Sequence, residues 1–369
     1  MRKSIPINVL KCVIGVGLIS YLLWANWGTL KPIWQKHFVE GAPINYAPFA
    51  LAILVCLGSI LLTFVRWYFL VRALDLPFTI GDAIRLGFYG YATSPFLPSS
   101  IGGDIVKAAF IARGQSRRTA AVATVVVDRI VGLWGLFWLV TILGGVFWWN
   151  GQLTGEVGDK LKIIVLSAAG VCAASVIVWL LLGILPTHRA HRFAGRLEKI
   201  PGAGHALAEL WRAAWMYRSK GRTIALTLAM SLVGHLGFVS LFYLSAQTLV
   251  PRKDIPSLAT HFLIIPIGMA FQAGFPAPGG LGGGELAFVE LYKLVNYPAE
   301  YGLLGSIVQR IVTWILAAVG YLYVCVRPAG ARNLATETAE QVQASVNGIH
   351  NAAPEQGKSH SHHSSIRDP

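Results

Sequence analysis

Asp104 and Glu285 are the residues whose type and setting could do chemistry. Each acid closes a turn of proline and glycine, PSSIGGD at 98–104 and PGGLGGGE at 278–285, inside strongly apolar sequence. The copies stay in step downstream. Asp104 is followed 24 residues later by Asp128-Arg129-Ile130-Val131, and Glu285 is followed 24 residues later by Gln309-Arg310-Ile311-Val312. Two helix breaks bearing charge, at matching places in two halves of an apolar chain, point to a transporter-type binding site. Pro98 and Pro278 end helices, and Gly102, Gly103, Gly282 and Gly283 permit tight backbone. Short helices starting near the two acids would aim free N–H groups and partial positive charge at the break, which suits an anionic headgroup or phosphate. Asp104 and Glu285 can also cap their own helices, and the two roles are compatible.

A charge within lipid costs roughly 2.5–3.5 kcal/mol, so Arg129 and Arg310 should pair with an acid or face a cavity. Asp128 adjoins Arg129, so on a helix their side chains diverge. Asp104 is the natural partner of Arg129, and Glu285 that of Arg310. Snorkelling to the interface is the competing reading for both arginines. Lys107 lies one turn after Asp104 and, like Lys293, could line the cavity mouth or sit at headgroup level. Arg66 reads as a snorkelling anchor near the end of its span, and Arg85 is ambiguous. His235 reads as a packed, hydrogen-bonded histidine rather than a proton relay. Gln309 stands where the first copy has Asp128, so a symmetric acid pair is not available there.

These residues need a membrane scaffold, and the composition supplies one. Of the 369 residues, 54% are hydrophobic and 13% charged, against about 25% charged in soluble domains. The expected fold is all-α: a polytopic membrane helix bundle with about six full spans, at 7–27, 47–70, 119–149, 161–185, 223–250 and 302–326. The stretches 80–113 and 258–297 remain. The segment from Asp104 to Ala112 is too short to cross a bilayer of about 30 Å at about 1.5 Å per residue. Each stretch is therefore expected to be a broken re-entrant hairpin. Three full spans separate the hairpins, an odd number, so the repeats should be inverted.

The formal charge of +14 is concentrated in a few loops. It reports orientation before it reports nucleic acid. Loop 186–222 carries Arg189, Arg192, Arg196, Lys199, Arg212, Arg218, Lys220 and Arg222 against Glu198 and Glu209, which places it in the cytoplasm with both termini. Loop 150–160, with Glu156 and Asp159, faces the other side. The N-terminal stretch, interrupted by Lys11 and ending at Trp24 and Trp27, reads as an uncleaved first span of a protein of the inner (cytoplasmic) membrane. Trp148, Trp149 and Trp314 read as interface belt or lipid-facing bulk. Cys12, Cys56, Cys172 and Cys325 lie in separate apolar runs and read as small buried hydrophobes. Residues 1–330 form the membrane domain. Residues 331–369 are polar and expected to be a disordered cytoplasmic tail, in which His360, His362 and His363 are solvated rather than ligands.

There is no Walker A sequence, HExxH, GxSxG or paired metal-ligand spacing. The expectation is a transporter-like protein with no cofactor and no metal, rather than an enzyme.

The stretches FLPSSIGGDIVKAAFI and VVVDRIVGL, with FPAPGGLGGGELAFVELY and VQRIV, resemble the flippase-like membrane domain of lysylphosphatidylglycerol synthases, in a stand-alone form. The likeness covers about 7–327. It implies lipid translocation or lipid handling, with a membrane lipid, anionic or modified, as substrate. Asp104, Glu285, Arg129 and Arg310 match the motif positions. The aminoacyltransferase activity of the synthases is not carried over, because only the 39-residue tail follows the last span. Two alternatives stay open: an intramembrane enzyme, or enzyme subunit, for lipid aminoacylation or glycosylation, and a scaffold for a cytoplasmic lipid-modifying enzyme.

Overall fold

The computed structural model describes residues 27–35, 39–41, 44–94, 97, 102–201 and 204–326, with isolated positions between 17 and 24. Most of the expected first span at 7–27 lies outside the described residues, as do Lys11, Cys12, Pro98 and the tail from 331 with its histidines.

The described residues are helical, with no strand among them. A short helix α1 (Trp27–Trp34) is followed by α2 (Tyr46–Ala73), α3 (Ile80–Thr93), α4 (Gly102–Arg113), α5 (Arg118–Trp149) and α6 (Gly155–Ile184). Then come α7 (Thr187–Leu197), α8 (Gly204–Tyr217), α9 (Gly221–Leu249), α10 (Leu258–Gly274), α11 (Gly283–Leu294) and α12 (Ala299–Val326). Helices α2, α5, α6, α9 and α12 are long and apolar enough to cross a membrane. The shortest of them, 28 residues, reaches about 42 Å, more than the roughly 30 Å of hydrocarbon. The chain is a multi-pass membrane protein.

The four remaining apolar segments are half-length. Helices α3 and α4 have 14 and 12 residues, and α10 and α11 have 17 and 12, so neither member of a pair spans alone. Each pair folds back on itself, α4 on α3 and α11 on α10. Between α4 and α10 stand three long helices, α5, α6 and α9, so the two hairpins enter from opposite faces if each long helix crosses once.

Local chemistry fixes where each unit starts and breaks. Thr79 accepts from the Asp82 backbone N–H at 3.1 Å while the Asp82 carboxylate accepts from the Thr79 N–H at 3.2 Å, a reciprocal cap that starts α3. Ser257 caps α10 from one side only, accepting from Thr260 N–H at 3.1 Å. At the second break Gly279, Gly280 and Gly282 adopt φ of 56°, 67° and 81°, a left-handed backbone in which only glycine is unstrained. At the first hairpin Gly90 and Gly103 bring the backbones of α3 and α4 together. A Cβ on Gly103 would stand 2.2 Å from the Gly90 carbonyl oxygen.

Packing repeats with the sequence. Helices α2 and α9 form the most extensive contact among the described helices. Each first half-helix lies against the last long helix of the other unit, α3 on α12 and α10 on α5. One core gathers Trp67, Leu70, Phe110, Ala121 and Tyr217, and another gathers Phe242, Ile264, Phe288 and Tyr292. The short α1 covers the second unit, Leu30 packing with Val289 and Leu303.

The basic stretch expected as a loop at 186–222 contains two short helices, α7 and α8, folded against each other and against the ends of α5 and α6. Tyr217 at the end of α8 donates to the Leu70 carbonyl at 2.7 Å. Burial pushes its phenol well above the ordinary range, helped by the charge of Asp128, so it stays a donor. One cysteine departs from expectation. Cys56 and Cys172 are buried, but Cys325 is exposed, because it falls on the outer face of α12 near its end.

Candidate functional site

The two hairpins and the long helices α2, α5, α9 and α12 line a cavity of about 570 Å³. Its walls come from both units: Arg66 on α2, Gly103, Asp104 and Lys107 on α4, Asp128 and Arg129 on α5, His235 on α9, and Gln309 and Arg310 on α12. Gly279 and Leu281 of the second break also reach it.

Charge in this cavity is arranged in two groups. In the first unit, Arg129 Nη1 donates to Asp104 Oδ2 at 3.2 Å. Asp104 Oδ1 is 3.6 Å from Lys107 Nζ, which is in turn 3.4 Å from Asp128 Oδ2. The other oxygen of Asp128 accepts from Arg66 Nε at 2.9 Å. Arg66 also donates to Ser231 Oγ at 3.1 Å and to the Asp128 carbonyl at 3.2 Å. Lys107 sits over the Trp67 ring, 4.6 Å from its centroid, a contact that favours the cation. The chain of alternating charge therefore runs Arg66, Asp128, Lys107, Asp104, Arg129. Its inner members are almost closed to solvent, the side chains of Arg66, Asp128 and Lys107 being 8%, 5% and 8% exposed. Its outer end opens, the Arg129 side chain being 33% exposed.

The second unit has one tight pair. Arg310 Nε donates to Glu285 Oε1 at 2.6 Å, and Arg310 Nη1 donates to the Gly279 carbonyl at 3.3 Å. Arg310 Nη2 also lies 2.6 Å from Oε1 but out of line for a hydrogen bond. The remaining Glu285 oxygen accepts from the Gly282 backbone N–H at 2.7 Å. Glu285 thus caps α11 and holds Arg310 at once. It is fully buried, and it stands in the wall behind Arg310 rather than in the lining.

Four cations (Arg66, Lys107, Arg129 and Arg310) and two carboxylates (Asp104 and Asp128) line the cavity, with Glu285 behind. Cations exceed acids by one even when Glu285 is included. Buried ions of this kind persist only when paired and hydrogen-bonded, and the excess of positive charge suits an anionic guest. The volume lies within the range of small-molecule sites, about 300–1,000 Å³.

The structure brings together Asp104, Lys107, Arg129 and Arg310 with Gly103 at one cavity. It places Gly102, Gly282, Gly283 and Glu285 outside the lining. Gly102 and Gly283 serve close packing, since a Cβ on either would lie 2.2 Å from Leu97 or Phe275. The pairs Asp104–Arg129 and Glu285–Arg310 form as the 24-residue spacing predicts. Lys107 is buried rather than at headgroup level, whereas Lys293 is exposed and pairs with Glu290 at 2.8 Å. Arg85 is half-exposed on Asp82 at 3.1 Å.

Arg66 is the main correction. Its guanidinium does not snorkel; it is turned inward, because Asp128 on α5 and Ser231 on α9 offer acceptors that lipid does not. His235 is a packed histidine as expected, with Nε2 at 2.8 Å from the Gly132 carbonyl, and it also lines the cavity. Trp314 is 49% exposed and borders the same cavity. The sequence reading missed one polar contact altogether. His261 Nε2 lies 2.6 Å from the Tyr292 hydroxyl and Nδ1 lies 2.9 Å from the Ser257 carbonyl, tying α10 to α11 away from the cavity. A histidine one turn after the Ser257 cap was the available signal.

Long apolar helices, two helix–break–helix units and a charged cavity lined by both define an α-helical, multi-pass membrane protein. Residues 8–320 match the model of the lysylphosphatidylglycerol synthase TM region. The chain belongs to that family, which sets it among membrane proteins concerned with lipid. A search of the curated proteins finds no match for the chain.

Proposed function

We propose that the protein is a lipid flippase or transporter of the cytoplasmic membrane, with both termini in the cytoplasm. It passes the headgroup of an anionic or modified phospholipid through the central cavity while the acyl chains stay in the bilayer. The observation that carries this reading is the joint lining of one cavity by Arg129 of the first unit and Arg310 of the second. Each arginine is held by an acid at the start of a half-helix. A phosphate between them would meet two guanidinium groups already oriented, the geometry that favours phosphate recognition. Their present partners, Asp104 and Glu285, keep the charges paired when no headgroup is bound.

The orientation is supported by the basic stretch 186–222, whose excess of arginine and lysine suits the cytoplasmic side. The first hairpin then opens to the cytoplasm and the second away from it. A phospholipid with a photoreactive headgroup tests the reading in native membranes. Labelling of peptides from α4, α5 and α12, reduced by excess unmodified lipid, is expected. Labelling confined to the outer faces of α6 and α7 would contradict it.

A further inference from the structure

A second basic site lies away from the central cavity, where α6 ends and α7 begins. Leu181, Ile184, Arg189, Arg192, Arg196 and Trp211 border a groove of about 600 Å³ that shares no residue with the central cavity. The three arginines sit at i, i+3 and i+7 of α7, and so form one stripe. No ion pair engages them among the described residues, and the nearby acid Glu198 is taken by Arg212. Beside the stripe, α7 is anchored, and Phe193 also borders the groove. Ala190 and Ala194 are buried, Trp211 Nε1 donates to the Ala190 carbonyl at 3.0 Å, and Phe193 packs on Trp211 with ring centroids 4.6 Å apart. The helix that carries the stripe is therefore held in place.

Apolar surface continues from this stripe into the membrane. Ile184 and Leu181 are 80% and 59% exposed, and Ile177 behind them is 57% exposed. Helix α6 is the least covered of the long helices: 17% of its most apolar window is buried, against 28–44% for the other four. An unpaired arginine stripe at the end of an exposed apolar track has the order of chemistry of a phospholipid, anionic headgroup first and acyl chain after.

We infer that this groove binds an anionic phospholipid of the leaflet on that side, with the phosphate on Arg189, Arg192 and Arg196 and one acyl chain along Leu181 and Ile184. The site is peripheral: it holds a lipid against the protein and does not pass it. Each basic residue at an anionic surface contributes about 1 kcal/mol, or roughly fivefold in affinity.

Thermal unfolding of the purified full-length protein, titrated with dioleoyl phosphatidylglycerol or dioleoyl phosphatidylcholine, tests the inference without any transport readout. Wild type should be stabilised by phosphatidylglycerol and much less by phosphatidylcholine. In the triple variant Arg189→Gln, Arg192→Gln, Arg196→Gln the half-saturating phosphatidylglycerol concentration should rise about a hundredfold. Single variants, each about fivefold, serve if the triple variant does not fold. Lys160→Gln with Lys162→Gln, on the other side, should change nothing. Equal stabilisation by the two lipids, or an unchanged titration in the arginine variants, overturns the inference.

Discussion

Asp128 and Arg66, 62 residues apart in sequence, meet at 2.9 Å and join α2 to α5 beneath the first hairpin. The other oxygen of Asp128 faces Lys107 at 3.4 Å, so one carboxylate holds two buried cations. The second unit has Gln309 at the matching position and, among the described residues, no such network. The twofold plan of the fold therefore carries an asymmetric electrostatic load. Most of the ionic structure stands on the side of the first break.

Asp128→Asn should be strongly destabilising, because it leaves Arg66 and Lys107 buried with less than their charge balanced. Breaking a buried pair costs about 3–5 kcal/mol. Gln309→Ala, by comparison, should cost less than about 1 kcal/mol in the same thermal unfolding measurement, since no charge loses its partner.

Gly103→Val should separate α3 from α4. The added Cβ would meet the Gly90 carbonyl oxygen at 2.2 Å, a backbone atom that no rotamer change can move aside. Overpacking of this kind costs about 1–3 kcal/mol or more, read as loss of folded protein on size-exclusion chromatography. Gly145→Ala is the contrast: its Cβ would meet nothing within 4 Å, and replacing a helical glycine should be neutral or stabilise by up to about 1 kcal/mol.

Tyr292→Phe removes the hydroxyl that lies 2.6 Å from His261 Nε2. The histidine is fully buried, so an unsatisfied ring nitrogen should cost about 1–3 kcal/mol in unfolding measurements. Lipid movement by the folded fraction should be unchanged, because neither residue lines the cavity.

The pairs Asp104–Arg129 and Glu285–Arg310 were legible because each occurs twice at one spacing, and because an intramembrane charge demands a partner. The breaks were legible for a related reason: proline and glycine in apolar sequence, followed by too few residues to span. Arg66 was not legible. Its acceptors lie on two other helices, and from one sequence an arginine near the end of a span reads as an interfacial anchor. Nor did spacing separate glycines that line the cavity from glycines that pack. Gly103 and Gly102 are neighbours, yet one borders the cavity and the other meets Leu97. The helix at 187–197 was hidden by its charge, which reads as loop until Ala190 and Ala194 are seen to form its buried side, and the short helix at 204–217 was read as part of the same loop.

The most direct test of the central claim is leaflet-to-leaflet movement of a fluorescent anionic phospholipid in proteoliposomes, comparing wild type with Arg129→Gln and Arg310→Gln at equal reconstituted protein. The account predicts protein-dependent movement by wild type, reduced at least tenfold in each folded variant. It also predicts partial loss in Arg310→Lys, which keeps the charge but not the planar contact with Glu285 and Gly279. No acceleration by wild type, or equal rates in wild type and both glutamine variants, would contradict it.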